Sequence, residues 1–332
     1  MEINTLDKSN LHQVILDFPN QFIKGLEVTG KVKINNGDFK RVVVSGMGGS
    51  SLPTDILRAY LEEVGTELEI VQNRNYGLPK KAHGHTLNFI SSFSGNTEET
   101  LSSFNEALQN KLPMVVFTNG GKLLELAKTN NIPFVVIPDC IQPRCAVGYF
   151  FSAMLKVLIN CDLTAIPEAA ILNIQEYLQS IMPSFEEKGL IIAKKLVGQT
   201  PIVYSSDLLK SIALILKIEF NENAKTPAFW NTFPELNHNE MVGWTLPQGP
   251  FHILIFQEKN IHPSIAKRMQ VTAKLLEAKN IETEFITLEA DNTLNTIFSA
   301  LIMGNWISYY LSLEYGQDPT PVEMVEEFKK QL

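Results

Sequence analysis

Residues 41–51 read RVVVSGMGGSS, a β-branched run that breaks into glycines and serines just before a helical pattern at Thr54–Leu61. Similar short runs recur on its C-terminal side: LEIVQ at 68–72, TLNFISS at 86–92, PMVVFT at 113–118 and PFVVIP at 133–138. Helical pattern fills the gaps. Thr97–Gln109 is the clearest case, with Leu101, Phe104 and Leu108 on one face and Glu98 and Glu99 in the first turn, where the helix dipole favours anions. Strands that alternate with helices predict a parallel sheet wrapped by crossovers, hence an α/β fold.

From Ala146 to Val197 the pattern is mostly helical, punctuated by Pro167 and Pro183, and a second α/β series follows. PIVYSS (201–206) leads into the apolar helix DLLKSIALILKIEF, and FHILIFQ (251–257) and TEFITL (283–288) read as further strands. The expected organisation is two domains, residues 1–155 and 156–332, with a faint repeat between VVVSG and PIVYSS and the helices after them. The closing QDPTPVEMVEEFKKQL predicts a short helix with Val322, Val325 and Phe328 on one face, expected to dock on the body.

The 332 residues carry 28 Lys+Arg against 36 Asp+Glu, a net charge of -8 that opposes broad binding to nucleic acid or anionic membrane. AVGYFFSAMLKVLINC and IFSALIMGNWISYYLSL are interrupted by polar residues before reaching the ~20 a membrane span needs, and are read as buried helices. Cys140, Cys145 and Cys161 form neither a CxxC nor an even set, so a disulfide framework and a Cys-rich zinc site are not expected, and a reducing cytoplasm fits. His83 and His85 form an HxH without a further ligand at useful spacing and are read as a surface turn.

Two small-polar loops carry the chemistry. Gly46–Ser51 and Ser92-Phe93-Ser94-Gly95-Asn96-Thr97 each join a strand to a helix start, where glycines admit close approach and hydroxyls and N–H groups can hold an anion. Taken together they predict a phosphate cradle, because ligands of a doubly wound sheet bind beyond the carboxyl ends of adjacent strands. Ser94 or Asn96 could instead be a helix cap. Glu222, just past the apolar helix 208–220, is either a general base with a raised pKa or a solvated partner of Lys225. His238, in Pro234-Glu235-Leu236-Asn237-His238-Asn239-Glu240, is either a proton carrier or structural. Arg144, in Gln142-Pro143-Arg144, either stabilises developing negative charge or forms a salt bridge.

GMGGSS, SFSGNTEET, the QPR turn, FNENAK, PELNHNE and the terminal DPTPVEMVEEFKKQL together resemble the bifunctional phosphoglucose/phosphomannose isomerases of the sugar isomerase (SIS) superfamily. The resemblance implies two SIS domains, each a flavodoxin-like parallel sheet flanked by helices. It implies a metal-independent, cofactor-free isomerase of carbohydrate metabolism, serving glycolysis and gluconeogenesis, that interconverts glucose 6-phosphate or mannose 6-phosphate with fructose 6-phosphate through a cis-enediol. It also implies a homodimer with shared active sites. Gly49, Ser50, Ser92, Ser94 and Thr97 would hold the phosphate of the hexose 6-phosphate. Glu222 would shuttle the proton between C1 and C2, and His238, contributed across the dimer interface in this family, would help open the ring. Arg144 would stabilise the enediolate, Lys329 would assist ring opening, and Thr320 would favour both C2 epimers. The sequence departs from the family at Ser51-Leu52-Pro53-Thr54-Asp55, where Asp55 is kept and the preceding Gly is not, so the first loop is expected to sit differently. The competing readings are a non-catalytic sugar-phosphate-binding SIS regulator and another SIS enzyme of amino-sugar phosphates.

Overall fold

The computed structural model describes residues 3–34 and 37–331. Five strands, β1 (Arg41–Ser45), β2 (Glu69–Asn73), β3 (Thr86–Ser91), β4 (Met114–Thr118) and β5 (Phe134–Val136), form one parallel sheet in the order β2-β1-β3-β4-β5. Val42, Val43 and Val44 are fully buried, as expected of a strand whose sheet is covered on both faces. β1 pairs with β2 on one side, Ser45 opposite Asn73, and with β3 on the other, Ser45 opposite Ile90. The chain therefore winds away from β1 in two directions. This is a topological switch point, and it opens a crevice at the carboxyl ends of β1 and β3, where the two small-polar loops begin.

The second sheet repeats that winding. β6 (Thr200–Ser205), β7 (Phe229–Thr232), β8 (Phe251–Glu258) and β9 (Glu282–Leu288) are parallel in the order β7-β6-β8-β9. The faint repeat in the sequence is thus a repeat of topology. Sequence patterning gives no sign of β7, a four-residue edge strand with Phe229 exposed, because it is too short to show a period. The 22-residue helix Thr293–Glu314 is buried on nearly every side, and Gly304 lets it meet Leu216, where a Cβ would lie 1.9 Å from the Leu216 Cδ2. Among the described residues no helix is long and apolar enough to cross a membrane.

The chain divides into two compact units at positions other than the expected 155/156 boundary, which falls inside the helix Val147–Asn160. That helix belongs with the first sheet. It packs on the helix Asn20–Thr29 so closely that a Cβ on Gly25 would lie 2.0 Å from the Ser152 Oγ. One unit is Asp17–Gln179; the other combines Met1–Leu16 with Ser180–Leu332. The N-terminal segment is tied to the second unit by polar bonds. Asp7 accepts the N–H groups of Leu11 at 2.7 Å and His12 at 2.9 Å and the Tyr309 hydroxyl at 3.2 Å. Glu186 takes both the His12 Nε2 and the Tyr310 hydroxyl at 2.7 Å.

The C-terminal helix Glu323–Lys330 does not dock as the sequence leads one to expect. It buries none of its residues, and Met324, Val325 and Phe328 are exposed to 87, 45 and 61%.

Candidate active site

In the first unit the two loops are bonded to each other. Ser50 Oγ accepts the Phe93 N–H at 2.8 Å, and Ser91 Oγ donates to the Ser50 carbonyl at 2.8 Å. Within the second loop the hydroxyls of Ser92 and Thr97 are 2.9 Å apart, and Ser92 Oγ accepts the Gly95 N–H at 3.1 Å. Gly95 has φ +68°, and a Cβ there would lie 1.9 Å from the Gly120 carbonyl, so only glycine makes this turn. The capping alternative does not account for the serines. The N-cap of Glu98–Gln109 is Thr97, without a side-chain cap bond, while Ser94 Oγ accepts the Asn96 N–H and Asn96 Oδ1 accepts the Lys122 N–H. Gly49, Ser50, Ser92, Ser94 and Thr97 thus stand on two linked loops at one switch point.

Arg144 joins them. Its turn, Pro143–Ala146, packs on Gly48–Ser50 so tightly that a Cβ on Gly49 would lie 2.4 Å from the Arg144 nitrogen and 2.5 Å from the Pro143 carbonyl carbon. Gln21 anchors the turn from the other side, its amide donating to the Cys145 carbonyl at 2.7 Å and its Oε1 accepting the Gly148 N–H at 3.1 Å. Arg144 is buried.

The altered segment Ser51–Asp55 has a partner that sequence reading does not reveal. Arg74, just beyond the carboxyl end of β2, donates through Nε to Ser51 Oγ at 3.0 Å and through its second arm to Asp55. Ser51 Oγ in turn donates to the Gly48 carbonyl at 2.9 Å. Asp55, buried, also meets Arg58 at 3.3 Å, so two guanidiniums face one carboxylate behind the loop. The only sequence signal is an Arg at a strand's carboxyl end. Charge-assisted bonds of this kind contribute about 1.5–3 kcal/mol, and the partial exposure of Arg74 argues for the lower end. Arg74→Ala is expected to weaken inorganic phosphate binding roughly tenfold, measured by titration calorimetry, with Arg74→Lys restoring part of it.

In the second unit Glu222 ends the helix Lys210–Glu222 and lines a cleft of about 410 Å³ with Asn221, Lys225, Gln317, Asp318 and Val322. Lys225 Nζ donates to the carbonyls of Glu222 at 2.6 Å and Pro319 at 3.2 Å, which fastens the end of this helix to the segment carrying Thr320. Thr320 is buried, its N–H donating to Asp318 Oδ1 at 3.0 Å. Lys329 is exposed on the C-terminal helix.

His238 ends the short helical turn Glu235–His238 beyond β7 and is exposed. Its neighbours hold it in place. Asn237 Nδ2 donates to Thr272 Oγ1 at 2.9 Å, and Glu240 accepts the Tyr204 hydroxyl and the Asn231 amide. Trp244 Nε1 donates to the same Tyr204 oxygen at 3.0 Å, and burial, with the bond to Glu240, raises the Tyr204 pKa. Asn237 faces a groove with Lys267 and Arg268, separate from the cleft of Glu222. Sequence patterning does not reveal the Tyr204–Glu240 network, whose members are 36 positions apart. His83 and His85 lie on an exposed turn, His85 Nδ1 2.9 Å from the Asp38 carbonyl. Among the described residues no group of three His, Cys, Asp or Glu side chains is placed to hold a metal ion.

Two parallel sheets of the same winding, the first opening hydroxyl-lined loops at its switch point, define a SIS-domain protein. Tagatose-6-phosphate ketose/aldose isomerase of Escherichia coli has the same fold, with a TM-score of 0.66 at 16% identity over 93% of each chain. Residues 185–332 match the family described as the bacterial phospho-glucose isomerase C-terminal SIS domain. Over 97% of its length the chain is 32% identical to the bifunctional phosphoglucose/phosphomannose isomerase of Caldicellulosiruptor bescii, of which it covers 98%. It is also 32% identical, over 73% of its length and 74% of that protein, to the D-glucosamine-6-phosphate 4-epimerase of Sulfolobus acidocaldarius. The chain belongs to the bifunctional phosphoglucose/phosphomannose isomerase family.

Proposed function

We propose that this protein is an aldose–ketose isomerase that interconverts glucose 6-phosphate and mannose 6-phosphate with fructose 6-phosphate. The observation that carries the reading is the packing of Gly49 against the backbone of Arg144, which sets a buried arginine next to the first of two linked hydroxyl-lined loops. Gly49, Ser50, Ser92, Ser94 and Thr97 hold the phosphate through neutral donors. Arg144 stabilises the enediolate that forms when Glu222 takes the proton from C2 of the aldose and returns it at C1. Because the enediol is planar at C2, one base serves both C2 epimers when the intermediate turns about its C2–C3 bond to present either face, and buried Thr320 lies in the segment between the cleft-lining residues Asp318 and Pro321. His238 and Lys329 assist ring opening. The separation of His238 from the Glu222 cleft supports service to the partner subunit's site in a homodimer. The net charge of -8 supports a small anionic substrate over nucleic acid or membrane partners. The three cysteine thiols, Cys140, Cys145 and Cys161, support a cytoplasmic setting in carbohydrate metabolism.

The test is to incubate the protein with fructose 6-phosphate and a metal chelator and to follow the two aldose phosphates separately. Both are expected to form. One product alone narrows the specificity, and neither product, with the sugar phosphate still bound, points to a regulator or to chemistry such as the 4-epimerisation named for the Sulfolobus relative.

A further inference from the structure

One turn before Glu222, the same helix carries a second acid, Glu219, which is buried while Glu222 lines the cleft. Glu219 meets the helix Thr293–Glu314. A carboxylate only accepts hydrogen bonds, so the Asn305 amide presents its nitrogen to Glu219, donating to Oε1 at 2.6 Å and to Oε2 at 3.1 Å. Ser308, fully buried, extends the connection: its Oγ donates to the Asn305 carbonyl at 3.1 Å and accepts the side-chain amide of Asn223, also buried, at 3.0 Å. The Asn223 N–H then returns to the Glu219 carbonyl at 2.7 Å. The bonds form a closed ring that joins the two helices and meets the first of them at positions 219 and 223, on either side of Glu222.

We propose that Glu219, Asn305, Ser308 and Asn223 are positioning residues for Glu222, a hydrogen-bonded ring that fixes the last turn of its helix and so the place of the base against the sugar. The role rests on the isomerase reading above, in which Glu222 moves a proton between C2 and C1, and it adds to that reading the groups that hold the base. Cohesion alone does not call for such a ring. Two helices close equally well through apolar side chains, as these two do where Leu216 meets Gly304, and replacing a buried charged group by a well-packed apolar one is often neutral or stabilising. What an apolar contact lacks is direction. It tolerates sliding and rotation of one helix on the other, whereas a closed ring of hydrogen bonds is satisfied in a single register.

Register matters here because proton transfer is sensitive to distance. A general base must come within about 2.6–3.2 Å of the atom whose proton it takes, and a displacement of about 1 Å can lower the rate on the order of 10²-fold. Glu222 is the last residue of its helix, where the ladder of backbone bonds ends and a side chain is least constrained by the helix itself. Lys225 holds the Glu222 carbonyl at 2.6 Å from the segment that follows. The ring supplies the complementary restraint, fixing the final turn against the buried helix Thr293–Glu314.

The parent protein is first assayed for interconversion of fructose 6-phosphate with the two aldose phosphates; no turnover there overturns the isomerase reading, and the role of the ring with it. In a parent that turns over, Glu219→Leu is expected to lower kcat about 10- to 10²-fold and to leave KM for fructose 6-phosphate within about twofold. Its melting temperature should be unchanged or higher, because the substitution removes a buried charged group. Glu219→Gln, which keeps an acceptor for Asn305, should return kcat to within about threefold of the parent. Ser308→Ala opens the ring from the other helix with a smaller change of volume, and decides the matter should Glu219→Leu fail to fold. It is expected to lower kcat by about three- to tenfold, and in the double variant the two losses should not multiply, since both open one ring. Ser312→Ala, one turn further along, where the hydroxyl bonds the Tyr309 carbonyl at 2.6 Å, should turn over as the parent does. A folded Glu219→Leu or Ser308→Ala protein whose kcat stays within about twofold of the parent overturns the positioning role. So does a loss of kcat that comes with a fall in melting temperature, which marks a defect of the fold, or one that Glu219→Gln shares in full, which marks a need for the Glu219 charge itself.

Discussion

Glu222→Gln is expected to lower turnover of fructose 6-phosphate by about 10²–10⁴ while leaving its binding within about twofold. The substitution preserves shape and removes the negative charge, and with it the ability to take and return a proton. Stability separates this outcome from simple damage to the fold. Glu222 is the last residue of the helix Lys210–Glu222, and a carboxylate at a helix C-terminus opposes the dipole by about 0.3–1 kcal/mol. The Gln protein should therefore melt at the same temperature as the parent or slightly higher while being nearly inactive. Lys225 helps keep the comparison clean, because it grips the Glu222 backbone carbonyl, which the substitution leaves in place. If the Gln protein still interconverts the sugars at a comparable rate, the base is another residue.

Gly49→Ala is expected to damage the contact between the first loop and the Arg144 turn. The added methyl would sit 2.4 Å from the Arg144 nitrogen, 2.5 Å from the Pro143 carbonyl carbon and 2.8 Å from the Arg144 Cα, all of them backbone atoms that cannot rotate away. Overpacking of this kind costs about 1–3 kcal/mol. Here the strain is relieved by parting the loop from the Arg144 turn. Inorganic phosphate affinity should fall by about 10²-fold, on the scale of losing a preorganised donor set. Gly48→Ala provides the contrast: it has φ +49° but no atom within 4 Å of the added Cβ, so only the backbone penalty of about 1–2 kcal/mol applies. A Gly49→Ala protein that binds phosphate as well as the Gly48→Ala protein would show that the packing against Arg144 does not shape the cradle.

The sequence reaches the strands of the first sheet to within a residue or two and the small-polar loops completely, because both are local patterns. Val42–Val44 announce a doubly covered strand, and Gly95 and the serines around it announce a turn that few other residues can make. The domain boundary is less legible. Asp7 belongs with Tyr309, 302 positions away, and no local pattern in Leu6–Leu16 declares that preference. The C-terminal helix misleads for the opposite reason. Its apolar face is plain in the sequence, yet Met324 and Phe328 remain exposed in this chain, since amphipathicity shows that a face favours burial without showing where.

The alternation of strand and helix, the hydroxyl-rich loops, and the identity of Glu222, His238 and Arg144 as chemically competent residues are written in the sequence itself, since each depends on side-chain type and near-neighbour spacing. The tertiary structure alone decides that Gly49 seats against Arg144, that Arg74 grips Ser51 and Asp55, and that Tyr204 and Glu240 steady the turn of His238. Each of these pairs residues from different elements, and the contact exists only because the order of strands in a twisted sheet brings their carboxyl ends side by side.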